Sequence, residues 1–98
     1  MIRVLLPVHL QRLANTGREV IVDVTGPVSI KVILDALETS YPVLRGTIRD
    51  QVTKERRDFV RFFACGEDFS LAEPGTLLPQ AIADGSERFM IVGAMAGG

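Results

Sequence analysis

Hydrophobic residues occupy alternate positions in two stretches near the N-terminus. They are Ile2, Val4 and Leu6 in the first stretch and Val20, Val22 and Val24 in the second. A period of two places such residues on one face of a β-strand. The intervening segment ends in the turn signal Asn15-Thr16-Gly17. The pattern therefore predicts strands over residues 2–6 and 19–24, joined by a loop into an N-terminal hairpin.

The hydrophobic spacing changes to that of a helix after Gly26-Pro27. The side chains that form one helical stripe are Ile30, Ile33, Leu34, Leu37 and Tyr41. Ser29 precedes the stripe, and its hydroxyl can accept a hydrogen bond from a free N–H of the first turn. Pro42 follows the stripe, and the residue before a proline avoids the helical conformation. A helix that begins after Ser29 and ends before Pro42 is predicted.

The second half of the chain is less regular but predicts three more strands. These are residues 59–64, a short return strand at 69–71 after a turn at 65–68, and a last strand at 88–92. Residues 44–55 are predicted to include a short second helix. The order β-β-α-β-β-β is typical of an α+β fold, with a mixed sheet and one main helix on one face. The first and last strands are expected to lie side by side in the middle of the sheet.

Length and charge narrow the class of protein. The chain has 98 residues and a net charge of −1, which indicates one domain without the basic excess of a nucleic-acid-binding protein. No stretch approaches the roughly 20 apolar residues of a membrane span, so neither a nucleic acid nor a membrane is an expected partner. The single cysteine, Cys65, excludes an internal disulfide, which is consistent with a cytoplasmic protein.

The residues that could carry chemistry are few. His9 is the only histidine, and no spacing typical of metal ligands surrounds it or Cys65. No catalytic triad, phosphate-binding loop or nucleotide fingerprint is present. The sequence therefore predicts a protein that is not an enzyme, with no metal and no bound cofactor.

Three groups of residues resemble the MoaD/ThiS sulfur carriers, the bacterial relatives of ubiquitin. The groups are Val28-Ser29-Ile30 with Ile33–Leu37 and Tyr41-Pro42; Phe59–Phe63 with Gly66-Glu67-Asp68; and Ile82–Gly85 with Phe89–Val92 and Ala94–Gly98. The resemblance covers nearly the whole chain. It implies a β-grasp (ubiquitin-like) domain over residues 1–93 and a flexible C-terminal diglycine tail over residues 94–98. Cys65 departs from the family, which often has asparagine there, and Pro7–Leu13 looks more like the carriers of cysteine synthesis.

The resemblance implies that Gly98 is the residue that reacts. An E1-like adenylyltransferase would use ATP to adenylate the Gly98 carboxylate, and a sulfur donor would convert it to a thiocarboxylate. Glycine has no Cβ, so Gly97 and Gly98 can thread a narrow channel. The small side chains of Ala94 and Ala96 are expected to keep the segment before the diglycine narrow. The protein would then be a carrier or co-substrate rather than an enzyme.

Strand alternation also predicts an interface on the sheet. An apolar cluster flanked by Arg3, Arg61 and Arg88 is expected on the face turned away from the helix, as in protein contact surfaces. The predicted apolar residues are Leu5, Phe63, Met90 and Val92. The expected partner-binding set combines Leu5, Arg61, Phe63, Arg88, Met90 and Val92 with the tail residues Ala94, Met95 and Ala96.

Several functions remain open within this resemblance. The leading one is the small subunit of molybdopterin synthase, which would act with the large subunit of that enzyme in cofactor biosynthesis. A sulfur carrier for cysteine or thiamine synthesis, acting with a partner such as a cysteine synthase, is an alternative. Another is a ubiquitin-like modifier joined to lysines through Gly98. A plain interaction module in which the diglycine is unused is the last.

Overall fold

A five-stranded mixed sheet supports one long helix in the computed structural model, which describes residues 1–93. The elements in chain order are β1 (Ile2–Leu5), α1 (Val8–Ala14), β2 (Glu19–Val22), α2 (Ile30–Ser40), a 3₁₀ turn (Pro42–Leu44), β3 (Val60–Ala64), β4 (Glu67–Asp68), α3 (Gln80–Ala83) and β5 (Phe89–Gly93). The predicted tail, residues 94–98, lies outside the described residues.

The strand order is β2-β1-β5-β3-β4. β1 pairs antiparallel with β2 and parallel with β5, and β5 pairs antiparallel with β3. The first and last strands therefore lie together in the middle of the sheet, as predicted. The predicted α+β, β-grasp class is confirmed.

α2 packs the apolar stripe predicted from the sequence onto the sheet. The Ser29 Oγ accepts a hydrogen bond from the N–H of Val32 at 3.3 Å, which confirms the predicted helix start. The buried stripe of Ile30, Ile33, Leu34 and Leu37 joins one hydrophobic core with the inward-facing strand residues. Within that core, the rings of Phe62 and Phe89 stack with centroids 5.6 Å apart. Each such buried side chain stabilises the fold by about 1.5–3 kcal/mol.

The loop predicted between the first two strands contains a helix instead. The carbonyl of Pro7 accepts from the N–H groups of Leu10 and Gln11, both at 3.0 Å, and so starts α1. Leu10 is buried in the core. Asn15 ends the helix in the left-handed conformation with φ of 55°, so this turn signal is a helix C-cap. The sequence did not predict α1, because a helix of seven residues shows only about two turns of hydrophobic periodicity.

Two other predictions in the middle of the chain were wrong. Instead of the helix expected within residues 44–55, the structure has a 3₁₀ turn at 42–44. Gly46, with φ of 81°, prevents the helical conformation from continuing after it. The return strand lies at 67–68 instead of 69–71. Cys65 and Gly66 both have positive φ, so they form the tight two-residue hairpin turn that places Glu67 opposite Ala64.

A buried ion-pair cluster joins α2 to the segment after the 3₁₀ turn. The Arg49 side chain is only 4% exposed. Its Nε donates to Glu38 Oε2 at 3.0 Å, and its Nη2 donates to Asp35 Oδ1 at 2.6 Å. Lys31 adds a further ion pair to Asp35 at 2.8 Å. Hydrogen bonds to both carboxylates outweigh the burial that would lower the pKa of Arg49, and its pKa is raised.

Acid is expected to remove the contribution of Asp35 to stability. Burial alone would raise the pKa of Asp35, but hydrogen bonds from Lys31 and Arg49 outweigh burial, and the pKa lies below its ordinary value of 3.8. Because the folded pKa is the lower one, the stabilisation is complete above 3.8 and disappears as the pH falls through the folded value. Urea unfolding of the wild type and of Asp35→Asn should show a difference in free energy of unfolding that shrinks in acid. A difference independent of pH would contradict this.

Candidate functional site

Three strands bring the predicted interface residues together on the outer face, defined as the sheet surface opposite α2. Met90 in β5 lies beside Leu5 of β1 and opposite Phe63 of β3. Arg61 lies opposite Val92 in the neighbouring row. The alternate residues of these strands belong to the core under α2, so these five point the other way. The geometry therefore gathers side chains that are up to 87 residues apart in sequence, from Leu5 to Val92.

Leu5 departs from its predicted exposure. Its exposed fraction is 6%, whereas Met90 is 39% exposed and Phe63 is half-buried. Leu5 is on a central strand between Glu19 and Met90, and directly paired side chains on one face lie close enough to cover each other. Leu5 therefore lies beneath its neighbours on the outer face. Met90 and Val92 form the accessible apolar surface of that face.

Ile21 is a residue of the outer face that the sequence analysis did not include. It is 46% exposed and lies opposite Arg3 across the β1–β2 pair. The alternation of β2 already placed it on the side away from Val20 and Val22. Extending the predicted face to β2, which neighbours β1, would have found it. The accessible apolar surface thus reaches one strand further than expected.

Arginine–carboxylate pairs border the apolar surface. Glu19 lies 3.3 Å from Arg3 and 3.9 Å from Arg88, and Asp68 lies 3.5 Å from Arg61. The side-chain and backbone hydrogen bonds of Ser70 lower the pKa of Asp68, and the nearby Arg61 adds to this. The predicted arginines therefore do border the apolar surface, and carboxylate side chains lie among them.

A shallow depression of about 340 Å³ lies at one end of the outer face. Its lining includes Phe63, Cys65, Arg88, Met90 and Val92. Cys65 is exposed there as a free thiol in the left-handed conformation, with φ of 52°. A cysteine in that conformation is uncommon, since asparagine, aspartate and glycine adopt it more readily.

Gly93 is the last residue of β5 and the last residue that the structure describes. Gly93 lies opposite Val60 of β3, so the chain is held by the sheet up to this point. The predicted tail residues lie outside the described residues; they are Ala94, Met95, Ala96, Gly97 and Gly98. The expected roles of the diglycine thus remain predictions, and the structure gives the position of the residue from which the tail extends.

The His9 imidazole lies against Gly93. An added Cβ at Gly93 would be 2.5 Å from Cε1 of His9, closer than real Cβ atoms approach other atoms, and 3.3 Å from its Nε2, a tight contact. The Nδ1 of His9 is buried and has no hydrogen-bond partner within residues 1–93. From the sequence, His9 is a candidate only for metal binding, because sequence spacing does not reveal its contact with a residue 84 positions away.

Residues 1–93 contain neither a candidate metal site nor a helix that could span a membrane. No cluster of three or more histidine, cysteine, aspartate or glutamate side chains in this part of the chain has the arrangement of a metal site. None of its helices has the length and apolar character needed to cross a membrane.

Solved structures of small carrier and modifier proteins share this fold along the whole chain. SAMP1 from Haloferax volcanii is 25% identical, with a TM-score of 0.76, over 99% of this chain and 98% of that one. CysO from Mycobacterium tuberculosis is 18% identical, with a TM-score of 0.74, over 97% of this chain and all of that one. A chain of the Amycolatopsis orientalis BexX/CysO complex is 16% identical, with a TM-score of 0.75, over the full length of both. No protein-family model matches the sequence, and no curated protein does.

These similarities confirm the resemblance to the MoaD/ThiS type of ubiquitin-like sulfur carrier. SAMP1 is also described by its full name, small archaeal modifier protein 1, in structures from Haloferax volcanii and Methanosarcina acetivorans. One of them was solved in a complex with a partner protein, BexX.

Proposed function

Because this fold is that of the ubiquitin-like carriers, we propose that the chain is a sulfur carrier that works through Gly98. The observation that carries the proposal is the position of β5. This strand lies between β1 and β3 and displays Met90 and Val92 on the outer face. Five residues that end in Gly97-Gly98 follow it in the sequence. One strand thus links a surface suited to a protein partner with the residues that would react.

The proposed chemistry takes place on the Gly98 carboxylate. This group is ionised at neutral pH and is a poor electrophile. A carboxylate oxygen attacks the α-phosphate of ATP in an E1-like adenylyltransferase, which forms the acyl-adenylate and releases pyrophosphate. Sulfide then attacks the acyl carbon and displaces AMP, and the product is the thiocarboxylate. The activating enzyme binds the ATP, and the carrier contributes its tail and its outer face.

The proposal is tested by mixing the chain with an E1-like enzyme, ATP and radiolabelled pyrophosphate. We expect label to enter ATP only when the chain is present, because formation of the adenylate is reversible. An E1-like enzyme that activates SAMP1 would be the first choice, since SAMP1 is 25% identical to this chain. Exchange that does not depend on the chain, with enzymes that activate their own carriers normally, would contradict the proposal.

Substitution of Met90 by arginine is expected to weaken activation at least about tenfold in kcat/KM. The change places a charge in the accessible centre of the outer face, where truncation or disruption of a contact has its largest effect. The fold should survive, because Met90 is 39% exposed. The matched control is Val52→Arg, at an 88% exposed position outside this face. Equal activation of Met90→Arg and Val52→Arg would show that the outer face does not bind the activating enzyme.

The acceptor of the sulfur is the next part of the proposal. Molybdopterin synthase is the leading acceptor from the sequence, and the purified thiocarboxylate can be offered to its large subunit and, separately, to a cysteine synthase. The correct acceptor should return the carrier to its carboxylate form and convert its own substrate. Transfer to the cysteine synthase alone would replace the molybdopterin assignment with the alternative.

A second function, protein modification, is favoured by one observation. The neighbour with 25% identity is SAMP1, and the same protein has been described as small archaeal modifier protein 1. The same adenylate could transfer Gly98 to a lysine amine to form an isopeptide bond and release AMP. Immunoblots of the native host should then show a ladder of heavier conjugates that disappears when Gly98 is deleted. A carrier that serves only sulfur transfer gives a single band.

A further inference from the structure

β2 forms one edge of the sheet, and the side of this strand that does not face β1 is the open edge. No other strand within residues 1–93 pairs with it. The β1–β2 register runs without a bulge from the Ile2–Val22 pair to the Leu5–Glu19 pair. The strand contains no proline, and its inward-facing residues are valines. Bulges, prolines and inward-pointing charges commonly prevent edge-to-edge pairing, and β2 has none of the three.

The backbone groups that face the open edge belong to alternate residues of β2. The N–H of Leu6 donates to the carbonyl of Arg18 at 2.9 Å, one step before the first pair of the β1–β2 ladder. Hydrogen-bonded pairs alternate along an antiparallel ladder, so every second residue from Arg18 onward bonds to β1. The N–H and C=O groups of Glu19 and Ile21 therefore point to the open edge, where an extended segment can hydrogen-bond with them.

The side chains along the open edge define the chemistry of a strand that fits it. Ile21 is 46% exposed and extends the accessible apolar surface of the outer face. Asp23 directly follows β2 and is exposed, and no lysine or arginine within residues 1–93 forms an ion pair with it. Glu19 is already paired with Arg3 and Arg88. Opposite charges attract across a strand pair, so a fitting strand has an apolar residue opposite Ile21 and a basic residue opposite Asp23.

A second copy of this chain fits the open edge less well. In the antiparallel register that pairs two open edges over their full length, Ile21 lies opposite Ile21. The same register places Glu19 of each copy opposite Asp23 of the other. A parallel register places each acidic residue beside its own copy. Like charges at such positions destabilise a strand pair, so the charges along β2 favour a different protein over self-association.

We propose that the open edge of β2 is a docking site for an extended segment of another protein, which pairs with β2 as an additional antiparallel strand. This segment carries an apolar residue opposite Ile21 and, two positions before it, an arginine or lysine opposite Asp23. Main-chain hydrogen bonds to Glu19 and Ile21 hold the segment, and the two side-chain positions select it. The site lies wholly within the described residues and does not depend on the activation of Gly98.

The test uses the full chain and a synthetic peptide with blocked ends, Ser-Arg-Thr-Val-Thr-Thr-Ser. Its valine is placed to lie opposite Ile21 and its arginine opposite Asp23. A control peptide has glutamate in place of the arginine. NMR titration of the nitrogen-15-labelled chain measures Kd and shows which amides respond. We expect shift changes concentrated in β2, together with slower hydrogen exchange of the Glu19 and Ile21 amides, because these N–H groups acquire partners.

Two substitutions separate the backbone contribution from the charge contribution. Ile21→Pro removes an N–H that points away from β1, which an edge strand tolerates, and should weaken binding of the arginine peptide about tenfold. The matched control, Ile21→Val, keeps the N–H and a branched side chain and should stay within about twofold. Asp23→Lys should weaken the arginine peptide about threefold and strengthen the glutamate peptide by about the same factor.

The inference is overturned if the arginine peptide at millimolar concentration leaves the amides of β2 unchanged, or if Ile21→Pro and Ile21→Val bind it equally. It is equally overturned if Asp23→Lys does not exchange the preference between the two peptides, a result that decides the matter even where Ile21→Pro does not fold. Sedimentation of the wild type as a dimer that Ile21→Pro abolishes would also overturn it, because a second copy would then occupy the open edge.

Discussion

Deletion of Gly97 and Gly98 is expected to lower kcat/KM for activation by at least about 100-fold and to leave the fold unchanged. The deletion moves the terminal carboxylate back along the chain by roughly 7 Å. A displacement of only about 1 Å from the productive position can reduce a rate about 100-fold, and Ala96 would also bring a Cβ to the reacting end. The β-sheet and its core lie within residues 1–93, so the free energy of unfolding should not change.

The measurement is exchange of labelled pyrophosphate into ATP with the E1-like enzyme, together with urea unfolding of the same samples. The matched control is Met95→Leu, which keeps the length of the tail and a flexible apolar side chain, and which should stay within a few-fold of the wild type. Activation of the shortened chain at the wild-type rate would show that the diglycine is unused, as expected for a plain interaction module.

Substitution of Arg49 by methionine is expected to lower the free energy of unfolding by about 3–5 kcal/mol. Arg49 is 4% exposed, and both it and Glu38 are buried. Removing the guanidinium leaves the Glu38 carboxylate in the interior without its 3.0 Å partner, and an unpaired buried charge is strongly unfavourable. Asp35 would also lose its 2.6 Å hydrogen bond. A domain of this size has only a modest margin of stability, so a large part of the population should unfold at elevated temperature.

Urea unfolding at neutral pH measures this effect, and a second variant separates its causes. In Arg49→Met with Glu38→Leu, no charge remains buried, so much of the lost stability should return. Lys31→Met is the surface control: it breaks an exposed ion pair to the same Asp35 and should change stability by less than about 1 kcal/mol. Arg49→Met with wild-type stability would show that the buried cluster does not hold α2 to the following segment.

The sequence predicted the elements whose own residues show a clear hydrophobic periodicity. The stripe of α2 with its Ser29 cap, and the alternation of the first and last strands, were sufficient for the fold class. α1 was not predicted, because a helix of two turns with one buried residue, Leu10, has little periodicity and depends on packing. A short helix was predicted within residues 44–55, but Gly46 has a positive φ and the Arg49 side chain is buried, so the segment follows an irregular path.

The sequence predicted which residues lie on the outer face more accurately than it predicted how far each of them is exposed. Alternation correctly assigned Phe63, Met90 and Val92 to one surface, since the period of two fixes the side of a sheet. It does not tell how far the neighbouring strands cover a residue, and so Leu5 was expected to be exposed although it is buried. The His9–Gly93 contact joins two distant positions, and a single sequence contains no signal for it.

The most direct test of the carrier account is an accurate intact mass of the untagged protein from its native host, with a fragment spectrum of its C-terminal peptide. The account predicts a population in which one oxygen at Gly98 is replaced by sulfur, and the modification maps to the last residue. Accurate mass separates this from oxidation of a methionine such as Met95, which adds nearly the same mass. A carboxylate at Gly98 in every molecule, unchanged after incubation with activating enzyme, ATP and sulfide, would contradict the account.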